Sequence, residues 1–312
     1  SDACVYDAVT SWKSARVEGT AVASANAIAS KSVSTNGDAN ANGGANACVQ
    51  EPDFALQFIR SPAGLTRQRN AGLRHASGEA IFFLDDDVTV PPDFIETAVR
   101  IFEMDEHRDV GGITGYDTVN YPAEVTLRWR LRKRWGVVAS LEPGFVDRLG
   151  RNAPLSFAKP FSGFRTVHWL PGFCMLYRRV AIEGLAFDEQ LPTYGGEDRD
   201  FSTRVGQRWR LLMCGDLQLQ HHCSQTNRVQ GTRQVFQTAF GIGRGFKKRA
   251  RGLSDAGVIL SYAAREFLIE LLAGARHPSF ASLQAPWARM HGLLLGWLSK
   301  PAEKNCEPVN RR

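Results

Sequence analysis

The chain of 312 residues predicts an α/β sandwich on a mainly parallel sheet, followed by C-terminal helices. Three observations predict it. Strand-like and helix-periodic segments alternate from Phe54 onward. One strand-like run, AIFFL at 80–84, is apolar at every position, as expected of a strand covered on both faces. From about Gln234 the pattern becomes helical and basic, with GRGFKKRAR at 243–251.

Taken in order, residues 19–50 are dominated by Ala, Ser, Asn and Gly. Such a segment buries too little apolar surface to offset its ordering entropy, so a disordered insertion is expected there, after a short ordered remnant at 1–18. FALQFIRSP predicts a strand over Phe54–Ile59, closed by Ser61 and Pro62. LTRQRNAGLRHA has helical spacing through Leu65, Ala71, Leu73 and Ala76, ending at Gly78. After AIFFL, residues Thr89–Pro92 lead into PDFIETAVRIFEM, a helix with Pro92 or Asp93 near its first turn. TVHWLPGFCMLYRR predicts a strand, a Pro-Gly turn and a second strand. GEDRDFSTRVGQRW predicts a helix opened by acidic residues, and RLLMCGDLQLQHH predicts paired strands. A domain over 51–232 and a helical, basic region over 233–312 follow from this order.

Composition narrows the function. The chain is 43% apolar with a formal net charge of +6. No run of about 18 uninterrupted apolar residues occurs, so no spanning helix is expected. SDACVYDAVTSW does not show the charged start and apolar run of a signal peptide. The six cysteines show no Cys-x-x-Cys spacing and read as reduced thiols of a cytoplasmic protein, not as a zinc site. The basic balance suits nucleotides or anionic lipid, and no nucleic-acid partner is expected.

The chemistry concentrates at Asp85, Asp86 and Asp87, where AIFFL ends. In sheets of this kind ligands sit beyond the carboxyl ends of the strands. Ionised carboxylates this close repel one another, which calls for a cation, a ligand or a changed protonation state. Three readings fit: a Mg²⁺ or Mn²⁺ site on a nucleotide diphosphate, an aspartyl phosphoryl nucleophile with an acid/base partner, or a structural acidic strand end. On an extended segment Asp85 and Asp87 share a face and Asp86 points away.

The surroundings favour the first. GLTRQRNAGLRHASGEAIFFLDDDVTVPPDF carries Arg69, Asn70, Gly72, Ala76, Gly78, Glu79, Leu84, Asp85 and Asp87. Downstream, LPGFCMLYRRVAIEGLAFDEQLPTYGGEDRDFSTRVGQRWRL and LQLQHHCSQTNR continue the pattern. This ordered set resembles the family 2 glycosyltransferases of the GT-A fold, a Rossmann-like α/β/α sandwich. The resemblance implies inverting transfer of a sugar from a nucleoside-diphosphate donor to an acceptor hydroxyl, in polysaccharide or glycolipid synthesis. It implies a Mn²⁺ or Mg²⁺ cofactor on Asp87, Asp85 and His221, with His222 as the alternative ligand. It puts Asp2, Arg67, Arg69, Asn70 and Asp85 on the nucleotide sugar, with Asp2 as the base-binding aspartate and the strand before it absent from the chain. Asp198 is the implied base with Glu197 beside it; Trp169, Gly172 and Gly196 line the acceptor side. A lipid-linked glycan acceptor would suit helices and a basic run lying on an anionic membrane surface, at the inner face of the plasma membrane. A catalytically inactive relative acting as a binding protein, a haloacid-dehalogenase-like phosphohydrolase and a nucleotidyltransferase are the alternatives.

Overall fold

The structure, a computed structural model, describes residues 5–14, 17–23, 54–223, 230–276 and 279–300. Its elements in chain order are β1 (Val5–Ser14), β2 (Val17–Ala23), β3 (Phe54–Ser61), α1 (Leu65–His75), β4 (Ala80–Leu84), β5 (Val88–Thr89), α2 (Phe94–Glu103), β6 (Val110–Asp117), α3 (Leu127–Arg134), β7 (Phe164–Val167), β8 (Cys174–Arg178), α4 (Arg179–Ile182), α5 (Glu197–Val205), β9 (Arg210–His221), α6 (Gly231–Arg249), α7 (Leu253–Arg276) and α8 (Phe280–Leu298). Residues 19–23, expected within the disordered insertion, belong to β2 instead. The rest of that segment and Asp2 lie outside the described residues.

The sheet follows the order β3-β1-β2-β4-β8-β6-β9-β5, with β7 also on β9. It is mixed, not mainly parallel: among the described strands only β2–β4 and β6–β9 run parallel. The cause lies in the Pro-Gly turn. The Asp85 amide donates to the Phe173 carbonyl, so β8 starts at the carboxyl end of β4 and has to run back antiparallel between β4 and β6. A fully apolar strand looks the same in either direction, so the sequence carries no sign of this.

RLLMCGDLQLQHH, expected as paired strands, is the single strand β9, slipped in register against β6 between Thr114 and Tyr116. Gly115 makes the slip possible, because a Cβ there would meet the Leu217 carbonyl oxygen at 2.3 Å. The slip lets β9 pair with β7 at one end and β5 at the other.

Strand alternation separates two apolar layers. Ile81, Phe83, Met175, Tyr177, Leu211 and Met213 join Ala71 of α1 and Phe201 and Val205 of α5. Phe82, Leu176, Leu212 and Cys214 join Phe94, Ala98 and Phe102 of α2 on the other face. The result is the expected α/β/α sandwich. The C-terminal helices form a third cluster around Phe246, Tyr262, Ile269 and Leu293.

The basic run at 243–251 is turned largely inward. Buried Arg244 pairs with Asp188 through Nε at 2.5 Å and Nη2 at 3.0 Å, and Lys248 reaches Asp188 at 2.7 Å and Asp200 at 2.9 Å. Lys247 donates to the Ser299 carbonyl, and Arg249 to the Thr203 hydroxyl. These cations tie α6 to α5 and the loop before it, so this part of the run is not the free membrane-facing surface expected from its composition.

Candidate active site

The site forms where β4, β6 and β9 end together. β5 pairs antiparallel with the end of β9, matching Val88 to His221, and the His222 amide donates to the Asp87 carbonyl at 2.9 Å. This pairing brings the aspartate turn to the histidine. His221 Nε2 lies 3.2 Å from Asp87 Oδ1, and ligand atoms of Asp85, Asp87 and His221 all fall within 4.8 Å of one another. Asp86 is exposed, whereas Asp85 and Asp87 are half-buried, because the turn closed by the Val88 amide on the Asp85 carbonyl at 3.3 Å points Asp86 outward. His222 is exposed and bonds Thr89 Oγ1 at 2.8 Å.

His221 is held from behind. Its ring stacks on Phe173 with centroids 4.4 Å apart. Asp117, fully buried at the end of β6, lies 4.0 Å from His221 Nδ1 and accepts from the His221 amide at 3.3 Å. Asn120 donates to Asp117 Oδ2 and to the His221 carbonyl, both at 2.7 Å. The sequence reading missed Asp117, Asn120 and Phe173. A signal for Asp117 was present: VGGITGYD is another apolar strand ending in an aspartate, like AIFFLD.

A second group adjoins the first through Arg69, which is 1% exposed. Its guanidinium donates to Glu197 Oε1 at 3.0 Å, to the Gly172 carbonyl at 2.9 Å and to Asp85 Oδ1 at 3.4 Å. Asp198 Oδ2 accepts from the Gly172 amide at 3.0 Å, and its Oδ1 from the Arg199 amide at 2.7 Å. Gly172 thus serves both neighbours with its backbone. A Cβ there would come within 3.0 Å of the Arg69 guanidinium. Gly196 begins α5 in the left-handed region at φ 73°. Burial raises the Asp85 carboxyl to about 6, opposed by Arg69 and assisted by the charges of Asp87 and Asp86. Burial and then the neighbouring Asp198 charge push Glu197 up as well. Asp85 and Glu197 share one guanidinium, with Asp87 and Asp198 beside them, so the pocket has negative charge to spare for a cation.

Other expected contacts are placed differently. Asn70 is buried and turned from the site: its Nδ2 donates to the Phe187 carbonyl at 3.0 Å and its Oδ1 accepts from the Phe187 amide at 2.7 Å. Arg69 faces carboxylates, not open space for a diphosphate. Arg67 lies on the surface, 3.6 Å from Glu189. Trp169 packs against the core, and its indole N–H makes no hydrogen bond among the described residues.

The mixed α/β/α sandwich thus carries an Asp-x-Asp turn and a histidine at its strand ends. Residues 45–185 match the model of Glycosyl transferase family 2. The matched stretch contains Arg69, Asp85, Asp87, Asp117 and Gly172, while Glu197, Asp198 and His221 lie beyond it. Among solved structures, the chain is similar to S. aureus TarS 1-349, at 14% identity and TM-score 0.41, covering 75% of this chain and 60% of that one. It is also similar to the mannosyltransferase PcManGT from Pyrobaculum calidifontis in complex with GDP-Man and Mn²⁺, at 17% identity and TM-score 0.37, covering 75% and 65%. For GalNAc-T7 with UDP, GalNAc and Mn²⁺ the values are 15%, 0.37, 58% and 34%. The chain thus spans less than two thirds of the length of each.

Proposed function

We propose that the protein transfers a sugar from a nucleoside-diphosphate sugar to an acceptor hydroxyl, with inversion at the anomeric carbon. The observation that carries this reading is the convergence of Asp85, Asp87 and His221 from separate strand ends into one set of possible ligands. Two carboxylate oxygens and an imidazole suit Mn²⁺ or Mg²⁺, and such a cation offsets the charge that develops on a diphosphate leaving group. Asp87 and His221 are the principal ligands in this reading, with Asp85 beside them. Asp117 and Asn120 hold the His221 backbone and ring, as groups behind a metal ligand do.

Asp198 is the proposed base. It is half-buried, and the Gly172 amide sets its carboxylate orientation. Inverting transfer needs a carboxylate that takes the acceptor proton as the hydroxyl attacks. Glu197, enclosed against Arg69, orients that wall of the site. Arg69 is a positioning residue linking the metal turn to the base, and the nucleotide-contact roles expected of Arg69 and Asn70 are set aside. The acceptor we propose is a glycan or lipid-linked glycan, met in polysaccharide or glycolipid synthesis by a protein working beside a membrane. Among the described residues no helix is long and apolar enough to cross one.

The test is calorimetric titration of UDP-, GDP- and dTDP-sugars with and without Mn²⁺, followed by turnover with the donor that binds. Asp87→Ala should lower Mn²⁺-dependent donor affinity about 100-fold or more. Unchanged Mn²⁺-dependent affinity in that variant would refute the metal assignment.

A further inference from the structure

The outer side of the α7–α8 hairpin carries apolar side chains where a surface helix ordinarily carries polar ones. On α8, Phe280, Leu283, Trp287, Leu294 and Leu298 are 78, 61, 67, 56 and 63% exposed, and their spacing puts them on one stripe. On α7, Leu260, Leu268 and Leu272 are exposed as well. Apart from Arg265, the charged residues described on the hairpin lie inside. Glu266 is 0% exposed and pairs with Arg132 of α3 at 2.7 Å and Arg289 of α8 at 3.4 Å. Glu270 accepts from Arg289 Nε at 2.8 Å and also pairs with Arg128 of α3. Because α3 is a run of arginines, the acidic face of α7 turns toward it, and the apolar face is left outward.

Basic groups border that outward face. Arg265 is exposed on α7 and donates to the Trp135 carbonyl at the end of α3, where Lys133 and Arg134 are also exposed. Beside it lies a cavity of about 470 Å³ lined by Gly136, Arg151, Ser254, Ser261 and Arg265, among others. Two guanidinium groups and two hydroxyls are the donors a phosphate diester would need. A second copy of the chain fits this face poorly. A two-fold interface would set each basic border against its own image. An anionic bilayer instead offers apolar depth for the stripe and phosphates for the border.

We propose that the α7–α8 face lies in the plane of an anionic lipid bilayer, with its leucines, Phe280 and Trp287 below the headgroups. Arg265, Arg151 and the end of α3 then contact lipid phosphates. This surface is separate from the sugar-transfer site, and the proposal holds whether or not that site is active.

The experiment is co-sedimentation of the full chain with vesicles of phosphatidylcholine alone and of phosphatidylcholine with phosphatidylglycerol. Binding is expected with the anionic vesicles and at least about tenfold weaker without the anionic lipid. Leu283→Glu, Trp287→Glu and Leu294→Glu together should weaken it about 100-fold or more with the melting temperature held. Arg265→Gln should lower only the anionic preference, and it serves as the second variant should the triple one fail to fold. Mn²⁺-dependent donor binding, measured on the same samples, should not change. Equal binding to both vesicle types, no binding to either, or undiminished binding by the triple variant would each overturn the proposal. A wild-type dimer by light scattering that the triple variant converts to monomer would also overturn it, in favour of a second copy.

Discussion

Replacing Asp188 by Asn tests how α6 is fastened to α5 and the loop before it. Asp188 is 5% exposed and receives Arg244 through two nitrogens and Lys248 at 2.7 Å. Burial works against its charge, yet these hydrogen bonds and charges hold its carboxyl down at about 2 from an ordinary 3.8. Each tenfold change in proton affinity corresponds to about 1.4 kcal/mol, so the displacement is worth roughly 2.5 kcal/mol. The folded pKa lies below the unfolded one, so this stability is fully present above about pH 5 and is lost as pH falls toward 2. Asn keeps the shape and cannot titrate. Urea unfolding of both proteins between pH 7 and 2.5 should show Asp188→Asn less stable by about 2–4 kcal/mol at neutral pH, because Arg244 stays buried without its carboxylate. The gap should close by most of the 2.5 kcal/mol at the acid end. A gap that stays constant with pH would refute the reasoning, since the pair would then contribute through shape alone.

Three other outcomes follow from the site. Asp117→Ala removes a buried partner of His221 and should weaken Mn²⁺ affinity about 10- to 100-fold, read by titration of the metal without donor. Asp198→Asn should leave donor binding within about twofold of wild type while transfer falls about 10²- to 10⁴-fold, read by initial rates at saturating donor. Gly241→Ala puts a Cβ within 1.7 Å of the Gly195 carbonyl oxygen, so α6 has to move off the loop that leads into Glu197 and Asp198. A stability loss of about 1–3 kcal/mol and a lower kcat should result, and an unchanged melting temperature would show that the contact gives way without strain.

The family-like motifs divide, once folded, into residues that hold the sheet together and residues that face the site. Asn70 clasps the Phe187 backbone, and Arg179 donates to the carbonyls of Ala76 and Gly78 at 2.5 Å each. Asp188 anchors α6. All of these sit in stretches that resemble the family, and none contacts the candidate metal ligands in the described bonds. Spacing alone does not separate the two kinds of residue, because a buried clasp and a ligand contact both use polar side chains beside turns.

By itself the sequence determined the sandwich, helices α1, α2 and α5, the helical C-terminal region and the strand ending at Asp85. Those features depend on periodicity and on which residues are apolar, and both are local. Strand direction and the register slip of β9 were decided only in the tertiary structure, because they depend on which chain ends meet. The same holds for the approach of His221 to Asp87 through β5 and the support of Asp117 beneath it. The outward apolar face of α7–α8 was decided in the same way. The arginines of α3, more than a hundred residues earlier in the chain, drew the charged side of the hairpin inward.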